Sequence, residues 1–397
     1  MFFLSNQSFK NQKVLIRLDL NVPLGDDLSV TDSTRIKASK ETVDFVINKG
    51  GACILIAHLG RPKGKDKNLS MLNILKDISK CFGKKIQFVN DCIGDEVEQA
   101  ISKMNNGDIL LLENLRFHEE ETNGDEGFAK KLSRLGDSYI NDAFGTSHRE
   151  HASTFTIAKH FPNKKYGGIL LQRELDVIGK ILDKGKPPIL SILGGAKVSS
   201  KLKIINNLVE QVDKIIISGG MAFTFIKANG GEIGDSLYEP SLINEAKLIL
   251  EKAKKLKTEI HLPLDVLSAK DINNIGETEV FNIDKIEPGW MGMDISRKSI
   301  SAFEKVILSS NTVFWNGPMG VFEKEKFSQG TMEICKILKR AKEDNKYVIT
   351  GGGDSIAALK KFGKTSWVNY ISTGGGASLQ LMSGKQLPAL EALKEYA

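Results

Sequence analysis

The chain of 397 residues is long enough for two large or three small domains, at roughly 150 residues per domain. Its 41% hydrophobic and 26% charged residues exclude large-scale disorder, and the net charge of +6 favours anionic small molecules as ligands without demanding a nucleic acid. No apolar run approaches the roughly 18 residues of a membrane span, and the first 13 residues lack the pattern of a secretory signal. Four cysteines without a C-x-x-C pair predict reduced, mostly buried thiols, so we expect a cytoplasmic protein.

Short, continuous apolar runs recur along the chain, separated by stretches long enough for a helix. They are Val14–Leu18, Ala52–Ala57, Ile86–Val89, Ile109–Leu112 and Tyr139–Ile140 in the first half, and Ile189–Leu193, Ile215–Ile217, Ile260–Leu264, Thr312–Trp315, Tyr347–Ile349 and Val368–Ile371 in the second. Runs without alternation are typical of strands buried on both faces. They predict an α/β fold with two parallel, doubly wound sheets. We expect the boundary near Leu170–Pro188, where a helical pattern meets Gly185 and Pro187–Pro188.

Polar residues rich in Arg and His follow the strands of the first half. These segments are Asp19–Asn21, His58–Arg61, Asn114–Arg116 and Asn141–Arg149. Ligands of open α/β sheets bind outside the carboxyl ends of the strands. Only nine Arg occur against 46 Lys, yet five of them lie in or just after these strands or at the first helix: Arg17, Arg35, Arg61, Arg116 and Arg149.

The planar guanidinium binds phosphate or carboxylate oxygens in pairs, so these arginines predict a polyanionic small substrate. The alternative for any one of them is an ion pair with Asp19, Glu113 or Asp142. The loop histidines His58, His148 and His151 are by themselves more typical of structural hydrogen bonds than of catalysis. No H-E-x-x-H motif or Cys/His cluster in the sequence indicates zinc.

Glycine dominates the strand ends of the second half. These segments are Gly194–Lys197, Gly219–Gly220, Asn316–Gly320, Gly351–Ser355 and Thr373–Ser378. Lys197 and Lys201 stand four residues apart where we expect a helix to begin, which would place both ammonium groups on one helical face beside an anion-binding helix start. The alternative is two surface lysines after a packing turn, and a Walker A motif is absent from the sequence.

The segment Gly351–Ser355 places Asp354 at a turn suited to phosphate. A carboxylate there would repel phosphate unless a cation bridged them, so Mg²⁺ is predicted, with a helix N-cap as the alternative role of Asp354. The segment Thr373–Ser378 offers backbone donors suited to a transferring phosphoryl group, or glycines that serve only the turn.

Seven segments, in this order and over nearly the whole chain, resemble the phosphoglycerate kinase family. They are RLDLNVP (Arg17–Pro23), HLGRP (His58–Pro62), ENLRF (Glu113–Phe117), GGAKVSSK (Gly194–Lys201), WNGPMGVFE (Trp315–Glu323), GGGDS (Gly351–Ser355) and STGGGAS (Ser372–Ser378). Several are six to nine residues long, so chance agreement is negligible. Two departures are visible: Gln380 stands where the family commonly has Glu, and Ser200 where Asp is frequent. Neither removes a residue that the resemblance assigns to chemistry.

The resemblance implies two Rossmann-like, doubly wound domains with parallel sheets, hinged around a central cleft. Residues 1–170 would form the N-terminal domain that binds 3-phosphoglycerate or 1,3-bisphosphoglycerate, and residues 188–378 the C-terminal domain that binds MgADP or MgATP. Residues 171–187 would form the interdomain helix and linker, and residues 379–397 would return to the N-terminal domain. The implied reaction is reversible, Mg²⁺-dependent phosphoryl transfer from 1,3-bisphosphoglycerate to ADP in glycolysis, directly and in line after hinge-bending closure, by a monomer.

The resemblance also implies three sets of site residues. The glycerate substrate would be held by Asp19, Asn21, Arg35, His58, Leu59, Gly60, Arg61, Arg116, Arg149 and His151. The nucleotide would be held by Lys197, Lys201, Gly292, Asn316, Glu323, Gly351, Gly352, Gly353, Asp354 and Ser355, with Glu323 on the ribose and Asp354 on magnesium. The catalytic set would be Arg35, Lys197, Lys201, Gly374, Gly375 and Gly376, with the glycines facing the moving phosphoryl group.

Three other functions fit the sequence less well. A nucleotide-linked dehydrogenase would need a strand leading into G-x-G-x-x-G, which is absent. A two-lobed anion-capture protein of the periplasmic type would be expected to carry a signal peptide. A protein kinase would need the H-R-D and D-F-G motifs, which the sequence lacks.

Overall fold

The computed structural model describes Leu4, residues 7–273 and residues 276–395. The predicted domain ranges therefore include residues outside the described part, namely Met1–Phe3, Ser5, Asn6, Asn274, Ile275, Tyr396 and Ala397. Contacts divide the chain after Val177 and after Lys385 into two compact units. We call the unit that runs up to Val177 and resumes at Gln386 the N-unit, and Ile178–Lys385 the C-unit.

The strands and helices alternate along most of the chain. The strands are β1 (Lys13–Leu18), β2 (Ala52–Ile56), β3 (Gln87–Val89), β4 (Ile109–Leu112), β5 (Ser138–Asp142), β6 (Lys165–Gly167), β7 (Ile189–Leu193), β8 (Lys214–Ile217), β9 (Glu232–Ile233), β10 (Glu259–His261), β11 (Asp265–Ala269), β12 (Thr278–Asn282), β13 (Lys285–Ile286), β14 (Met291–Ile295), β15 (Thr312–Asn316), β16 (Tyr347–Gly351) and β17 (Tyr370–Ser372). The helices are α1 (Thr34–Asn48), α2 (Leu72–Phe82), α3 (Asp95–Ser102), α4 (Glu119–Thr122), α5 (Glu126–Ser133), α6 (Ile169–Lys184), α7 (Leu202–Leu208), α8 (Ala222–Ala228), α9 (Ile243–Leu256), α10 (Arg297–Leu308), α11 (Gln329–Glu343), α12 (Gly353–Phe362), α13 (Gly376–Met382) and α14 (Pro388–Glu395). Among the described residues, no helix is both long and apolar enough to cross a membrane.

The N-unit is built on a six-stranded sheet in the order β3-β4-β2-β1-β5-β6, and every pair of neighbours is parallel. All five residues of β2 are buried, as are the last five of β1. Each buried Val, Leu or Ile contributes about 1.5–3 kcal/mol, so these continuous apolar runs fix the strands in the middle of the unit. Strand β6 was not predicted from the sequence; it has three residues and begins with Lys165.

The C-unit contains a second parallel six-stranded sheet, in the order β10-β8-β7-β15-β16-β17. When the strands of this sheet are numbered along the chain, they lie in the order 3-2-1-4-5-6 of nucleotide-binding α/β folds. In this arrangement the strand order, not the strand direction, reverses between β7 and β15. The two parallel sheets confirm the predicted α/β fold class. The run Ile260–Leu264 was predicted as one strand, but β10 ends at His261, before Pro263, because proline cannot continue the ladder of hydrogen bonds.

Between β10 and β15 the chain forms an antiparallel sheet, β12-β11-β14, and strand β13 pairs with β9. No apolar run in the sequence predicted this insertion. Its strand β12 (TEVFN) lacks a continuous apolar run such as those of β2 and β7, and none of its five residues is fully buried.

The last helix, α14, belongs to the N-unit. The Ala389 N–H donates a hydrogen bond to the Ser147 carbonyl over 3.1 Å, and the Leu387, Ala389 and Leu393 side chains are fully buried. The chain therefore leaves the N-unit once and re-enters it near its end.

Candidate active site

The loop after β1 carries a buried carboxylate that orients an arginine. Asp19 is 1% exposed, and its Oδ1 accepts a hydrogen bond from Arg35 Nη1 over 2.8 Å. Arg35 also donates to the Asn21 carbonyl over 3.2 Å, while 28% of its side chain remains exposed. Asp32 fixes the start of α1 by accepting from the Thr34 N–H over 2.9 Å, which sets Arg35 in the first helical turn. The predicted ion-pair alternative is thus realised for Arg35.

Side-chain amides connect the loops after β1, β2 and β4. The Asn114 amide accepts from the Leu59 N–H over 3.2 Å and donates to the Leu59 carbonyl over 2.7 Å. The Gly60 N–H donates to Asn21 Oδ1 over 2.8 Å, and Arg116 Nη1 donates to the Gly60 carbonyl over 2.6 Å. Gly60 has φ +64°, and a Cβ there would lie 2.7 Å from the Leu69 side chain, so glycine is required. Leu59 and Gly60 therefore contribute to these contacts between loops through their backbone groups.

Two neutral histidines lie among the arginines. The fully buried Arg17 donates to His58 Nδ1 over 3.0 Å, so His58 carries its proton on Nε2. Burial, followed by the charges of Arg17 and Arg116, lowers the pKa of His58 well below its ordinary value. The same causes lower the pKa of His151 to about 3. Both rings therefore remain neutral at physiological pH and offer hydrogen bonds rather than charge.

Arg61 and Arg149 are exposed at this edge of the sheet, whereas Arg116 is 9% exposed. Burial and the nearby charges of Arg17 and Arg149 lower the pKa of Arg116 to about 10. Burial and the charge of Arg61 lower the pKa of Arg149. The arginines thus repel one another, and a polyanion bound among them would relieve that repulsion.

A buried carboxylate beneath this cluster was not predicted from the sequence. The Ser153 hydroxyl donates to Glu121 Oε1 over 2.6 Å, its N–H donates to Oε2 over 2.9 Å, and Arg17 Nε donates to the same hydroxyl over 2.9 Å. All three side chains are fully buried. Glu121 belongs to the run Glu119–Glu121, which in sequence is typical of a solvated helix end, so no local signal distinguishes it.

In the C-unit, the loops after β7, β15 and β16 meet through their backbones. The Gly194 N–H donates to the Asn316 carbonyl over 3.0 Å, and Asn316 Nδ2 donates to the Gly351 carbonyl over 2.9 Å. A Cβ on Gly194 would lie 1.9 Å from the Pro318 carbonyl oxygen. Glycine at this position is therefore required by the close approach of two loops.

The expectation that Lys197 and Lys201 share one helical face is wrong. Helix α7 begins only at Leu202, and both lysines lie in the turn before it. The turn is held by the buried Val198, whose carbonyl accepts from the Lys201 N–H over 2.8 Å, and by the Ser199 N–H, which donates to Glu239 Oε2 over 2.8 Å.

The two lysines differ in environment. Lys197 is exposed, whereas Lys201 Nζ donates to the Gly194 carbonyl over 2.6 Å and to Asn316 Oδ1 over 3.0 Å. Burial lowers the pKa of Lys201 to about 8, against the opposing effect of the Asp354 charge. The surface-lysine alternative is therefore wrong for Lys201.

Asp354 lies in the first turn of α12 and is exposed. The N-cap of α12 is Gly352 at φ +91°, so the alternative of Asp354 as the N-cap is wrong. Ser355 is fully buried, and its hydroxyl accepts from the Gly317 N–H over 2.5 Å. The carboxylate of Asp354 is thus free to face the cavity that it lines.

The loop after β17 lies against the start of α12. Gly375 has φ +50°, and a Cβ there would lie 3.7 Å from Gly352 Cα. The Gly374 N–H already donates to Ser372 Oγ over 3.1 Å, so it is committed within the loop. Gly376 begins α13 directly after Gly375.

A largely apolar cavity of about 470 Å³ lies in the C-unit; its lining includes Gly219, Leu237, Gly292, Glu323 and Asp354. The Gly292 N–H donates to Ser236 Oγ over 2.9 Å, and a Cβ there would lie 2.3 Å from the Phe223 ring. Glu323 is exposed, and Asp354 brings a second carboxylate to the same lining. An apolar cavity with a few polar groups is typical of a binding site for a small molecule or cofactor.

The sequence model of the family described as phosphoglycerate kinase matches residues 4–385. A phosphoglycerate kinase of Prochlorococcus marinus is 44% identical over 394 residues, 99% of this chain and 98% of that protein. One of Aquifex aeolicus is 43% identical over 381 residues, 96% of this chain and 95% of that protein. The solved structure of phosphoglycerate kinase from Coxiella burnetii matches with a TM-score of 0.83 at 34% identity, over 99% of each chain.

Proposed function

Since the chain belongs to the phosphoglycerate kinase family, we propose that the N-unit binds 3-phosphoglycerate or 1,3-bisphosphoglycerate and the C-unit binds ADP or ATP. The reaction is the reversible glycolytic transfer of a phosphoryl group from 1,3-bisphosphoglycerate to ADP, which gives 3-phosphoglycerate and ATP. In reverse, the acceptor is a carboxyl group. The observation that carries the assignment of ligands is the group of mutually repelling arginines in the N-unit, which matches a small polyanion.

In the N-unit, the guanidinium groups of Arg61, Arg116 and Arg149 would bind phosphate and carboxylate oxygens in pairs. His58 would donate from Nε2, because its Nδ1 accepts from Arg17. Asp19 would accept a substrate hydroxyl through the oxygen that Arg35 leaves free. The remaining members of this proposed set act as positioning groups or donors: Asn21, Arg35, Leu59, Gly60 and His151.

In the C-unit, the base would occupy the apolar cavity beside Gly292, with the ribose at Glu323. The phosphates would then lie toward the start of α12, where Gly352, Gly353 and Asp354 are found. A helix start favours anions. Lys197, Asn316, Gly351 and Ser355 complete the proposed nucleotide set.

The exposed carboxylate of Asp354, at the start of α12, fits Mg²⁺, which commonly takes one or two carboxylates together with phosphate oxygens and water. When bound, the ion would offset the negative charge of the nucleotide phosphates. We expect Asp354→Asn to weaken MgADP binding at least tenfold while metal-free ADP binds nearly as before, which calorimetric titration measures. An equal loss with and without magnesium would contradict this role for Asp354.

The proposed mechanism is direct transfer through a loose, in-line transition state, which requires positioning and charge stabilisation rather than a covalent intermediate on the protein. Lys201, Lys197 and Arg35 would offset charge on the transferred group, with the backbone of Gly374, Gly375 and Gly376 beside it. Because the two substrates bind different units, transfer requires hinge-bending closure, which also excludes water from the acyl phosphate.

We further propose residues 1–170 and 188–378 as the two binding domains, residues 171–187 as the connecting helix and linker, and residues 379–397 as the returning segment. The division after Val177, within α6, and the hydrogen bond from Ala389 to Ser147 support this organisation. We also propose a cytoplasmic monomer without nucleic-acid or membrane partners. The four free cysteines are consistent with a reducing compartment.

A coupled assay tests the proposed function. The protein is mixed with ATP, Mg²⁺ and 3-phosphoglycerate, and acyl phosphate formation is followed; glycerate, 2-phosphoglycerate and acetate serve as control acids. We expect turnover with 3-phosphoglycerate alone and none after chelation of magnesium. Equal turnover with a control acid would contradict the proposed substrate, and turnover with the metal chelated would contradict the proposed cofactor.

A further inference from the structure

Three metal-ligating side chains of different chemistry lie together in the N-unit, outside the proposed substrate and nucleotide sets. Asp91 and Cys92 follow β3, and His118 follows the 3-10 turn Leu115–Phe117 after β4. Strands β3 and β4 are neighbours in the sheet, and the Glu113 N–H donates to the Asp91 carbonyl over 3.3 Å. One ligand atom from each of Asp91, Cys92 and His118 lies within 4.8 Å of the other two.

The spacing of these atoms is close to that of a metal centre. Bonds of about 2.0–2.3 Å to a tetrahedral Zn²⁺ place neighbouring ligand atoms roughly 3.3–3.7 Å apart. His118 Nε2 lies 2.7 Å from Asp91 Oδ1. A bound ion would increase this distance and bring Cys92 Sγ closer to both atoms. Side-chain rotations that move atoms by about 1 Å achieve this without moving the strands.

The Cys92 sulfur lies on the buried side of the cluster. The Cys92 side chain is 1% exposed, whereas Asp91 and His118 are 27% and 21% exposed and lead to solvent. The His118 ring packs on Phe128 with centroids 5.2 Å apart, which fixes its orientation.

The charges around the sulfur favour a cation. The carboxylates of Asp91, Glu121 and Glu113 place negative charge near the Cys92 thiol. The ammonium group of Lys65 lies 3.0 Å from Asp91 Oδ2, but its side chain is 67% exposed and can turn into solvent. A divalent ion would take the place of both the thiol proton and the lysine.

We propose that Asp91, Cys92 and His118 bind one Zn²⁺, with a fourth coordination position open to water. Sulfur, imidazole and carboxylate together suit zinc, whereas Mg²⁺ prefers oxygen ligands alone. The site lies in the N-unit, and the proposed magnesium ligand Asp354 lies in the C-unit. This site could not be predicted from the sequence, because Cys92 and His118 lack the short spacing of zinc motifs.

Metal titration of the full chain, after removal of metal by a chelator, tests the site. Co²⁺ reports on coordination through its visible absorption and through a thiolate charge-transfer band in the near ultraviolet, and calorimetry with Zn²⁺ gives the affinity. We expect one ion per chain, a thiolate band, and release of a proton on binding because the thiol must ionise. Absence of the band would overturn the proposal.

Variants assign the ligands. Cys92→Ser should abolish the thiolate band, and His118→Gln should weaken Zn²⁺ binding at least tenfold while retaining the band at higher metal concentration. Cys81→Ser, at a partly exposed free thiol of the same unit, is the matched control and should bind as the unchanged chain does. Far-ultraviolet circular dichroism verifies that each variant is folded, and His118→Gln decides the matter if Cys92→Ser does not fold. Unchanged binding in both Cys92→Ser and His118→Gln, or loss of the band in Cys81→Ser, would place the ion elsewhere and overturn the proposal.

Discussion

The N-unit and the C-unit each contain a parallel six-stranded sheet, but different chemical groups follow the carboxyl ends of the strands in the two units. In the N-unit, the loops after β1, β2, β4 and β5 present arginine side chains above a buried carboxylate, Glu121. In the C-unit, the loops after β7, β15, β16 and β17 present glycine backbone, and Lys201 is a half-buried cation among them. In the proposed function, the same fold binds anions by side-chain charge in the N-unit and by close approach of the backbone in the C-unit.

The contacts that hold the loops in place also differ between the two units. Amide side chains, Asn114 and Asn21, connect the loops of the N-unit. Direct backbone contact between Gly194 and Asn316 joins those of the C-unit. A single carbon added at Gly194 should therefore force these two loops of the C-unit apart.

The largest effect is expected from Gly194→Ala. The added Cβ would lie 1.9 Å from the Pro318 carbonyl oxygen, so β7 and β15 would have to separate at their ends. We expect a loss of about 4 kcal/mol or more in the free energy of unfolding, measured by denaturant titration. Gly179→Ala is the control, because a Cβ at Gly179 meets no atom within 4 Å. Equal stability of the two variants would contradict the proposed backbone contact.

Lys201→Ala should have the next largest effect, because it removes a half-buried cation from the glycine-lined edge. We expect the transfer rate to fall by roughly 10² or more, about 2.7 kcal/mol of barrier, in single-turnover measurements with both substrates saturating. Stability should also fall by about 1–3 kcal/mol, since the Gly194 carbonyl and Asn316 Oδ1 lose their donor. Lys203→Ala, at an exposed lysine, is the control. An equal transfer rate in both variants would contradict a role for Lys201 in the transfer step.

Glu121→Gln tests whether the buried carboxylate supports the arginine edge. The change leaves the buried Arg17 without its compensating charge and weakens the bonds from Ser153, so we expect a loss of about 1–3 kcal/mol in thermal or denaturant unfolding. Glu120→Gln, at an exposed position of the same helix, should be nearly neutral. A neutral Glu121→Gln would show that the charge balance does not contribute to stability.

Arg61→Lys and Arg149→Lys test the arginine edge without a change of charge. Lysine is a point charge and cannot bind two oxygens side by side, so we expect each change to weaken 3-phosphoglycerate binding about tenfold. Nucleotide affinity should stay nearly intact, since both residues lie in the N-unit. Calorimetric titration with each ligand measures both. Normal binding of the glycerate by both variants would contradict the bidentate role.

The smallest effect is expected from pH. Burial lowers the pKa of Lys201 to about 8, so its charged form is present below that pH and is lost above it. We expect kcat/KM for ADP to fall as pH rises through about 8, by at most about tenfold per pH unit. Lys201→Arg keeps its charge and should lose this decline even if its rate is lower. The same decline in Lys201→Arg would assign it to another group.

The positions of the loops that carry the proposed site residues followed from the sequence, because apolar runs mark the strands and these loops come directly after them. The arrangement of single side chains did not follow. Lys197 and Lys201 fit a helical spacing, but burial of Val198 keeps their segment in a turn. The sequence around Glu121 is typical of a solvated residue, but in the structure the hydroxyl of Ser153, distant in sequence, donates a hydrogen bond to it. Local patterns report secondary structure, whereas these contacts depend on tertiary structure.

The return of α14 to the N-unit has a consequence for synthesis on the ribosome. The N-unit is interrupted by about 200 residues of C-unit before its last helix appears. At about 5–20 residues per second, roughly 10–40 s pass between emergence of Val177 and of Gln386. During that interval the surface that Leu387, Ala389 and Leu393 bury in the finished protein lacks its cover. The nascent N-unit is therefore open to chaperones and to aggregation until the C-unit and the segment that follows it have been translated.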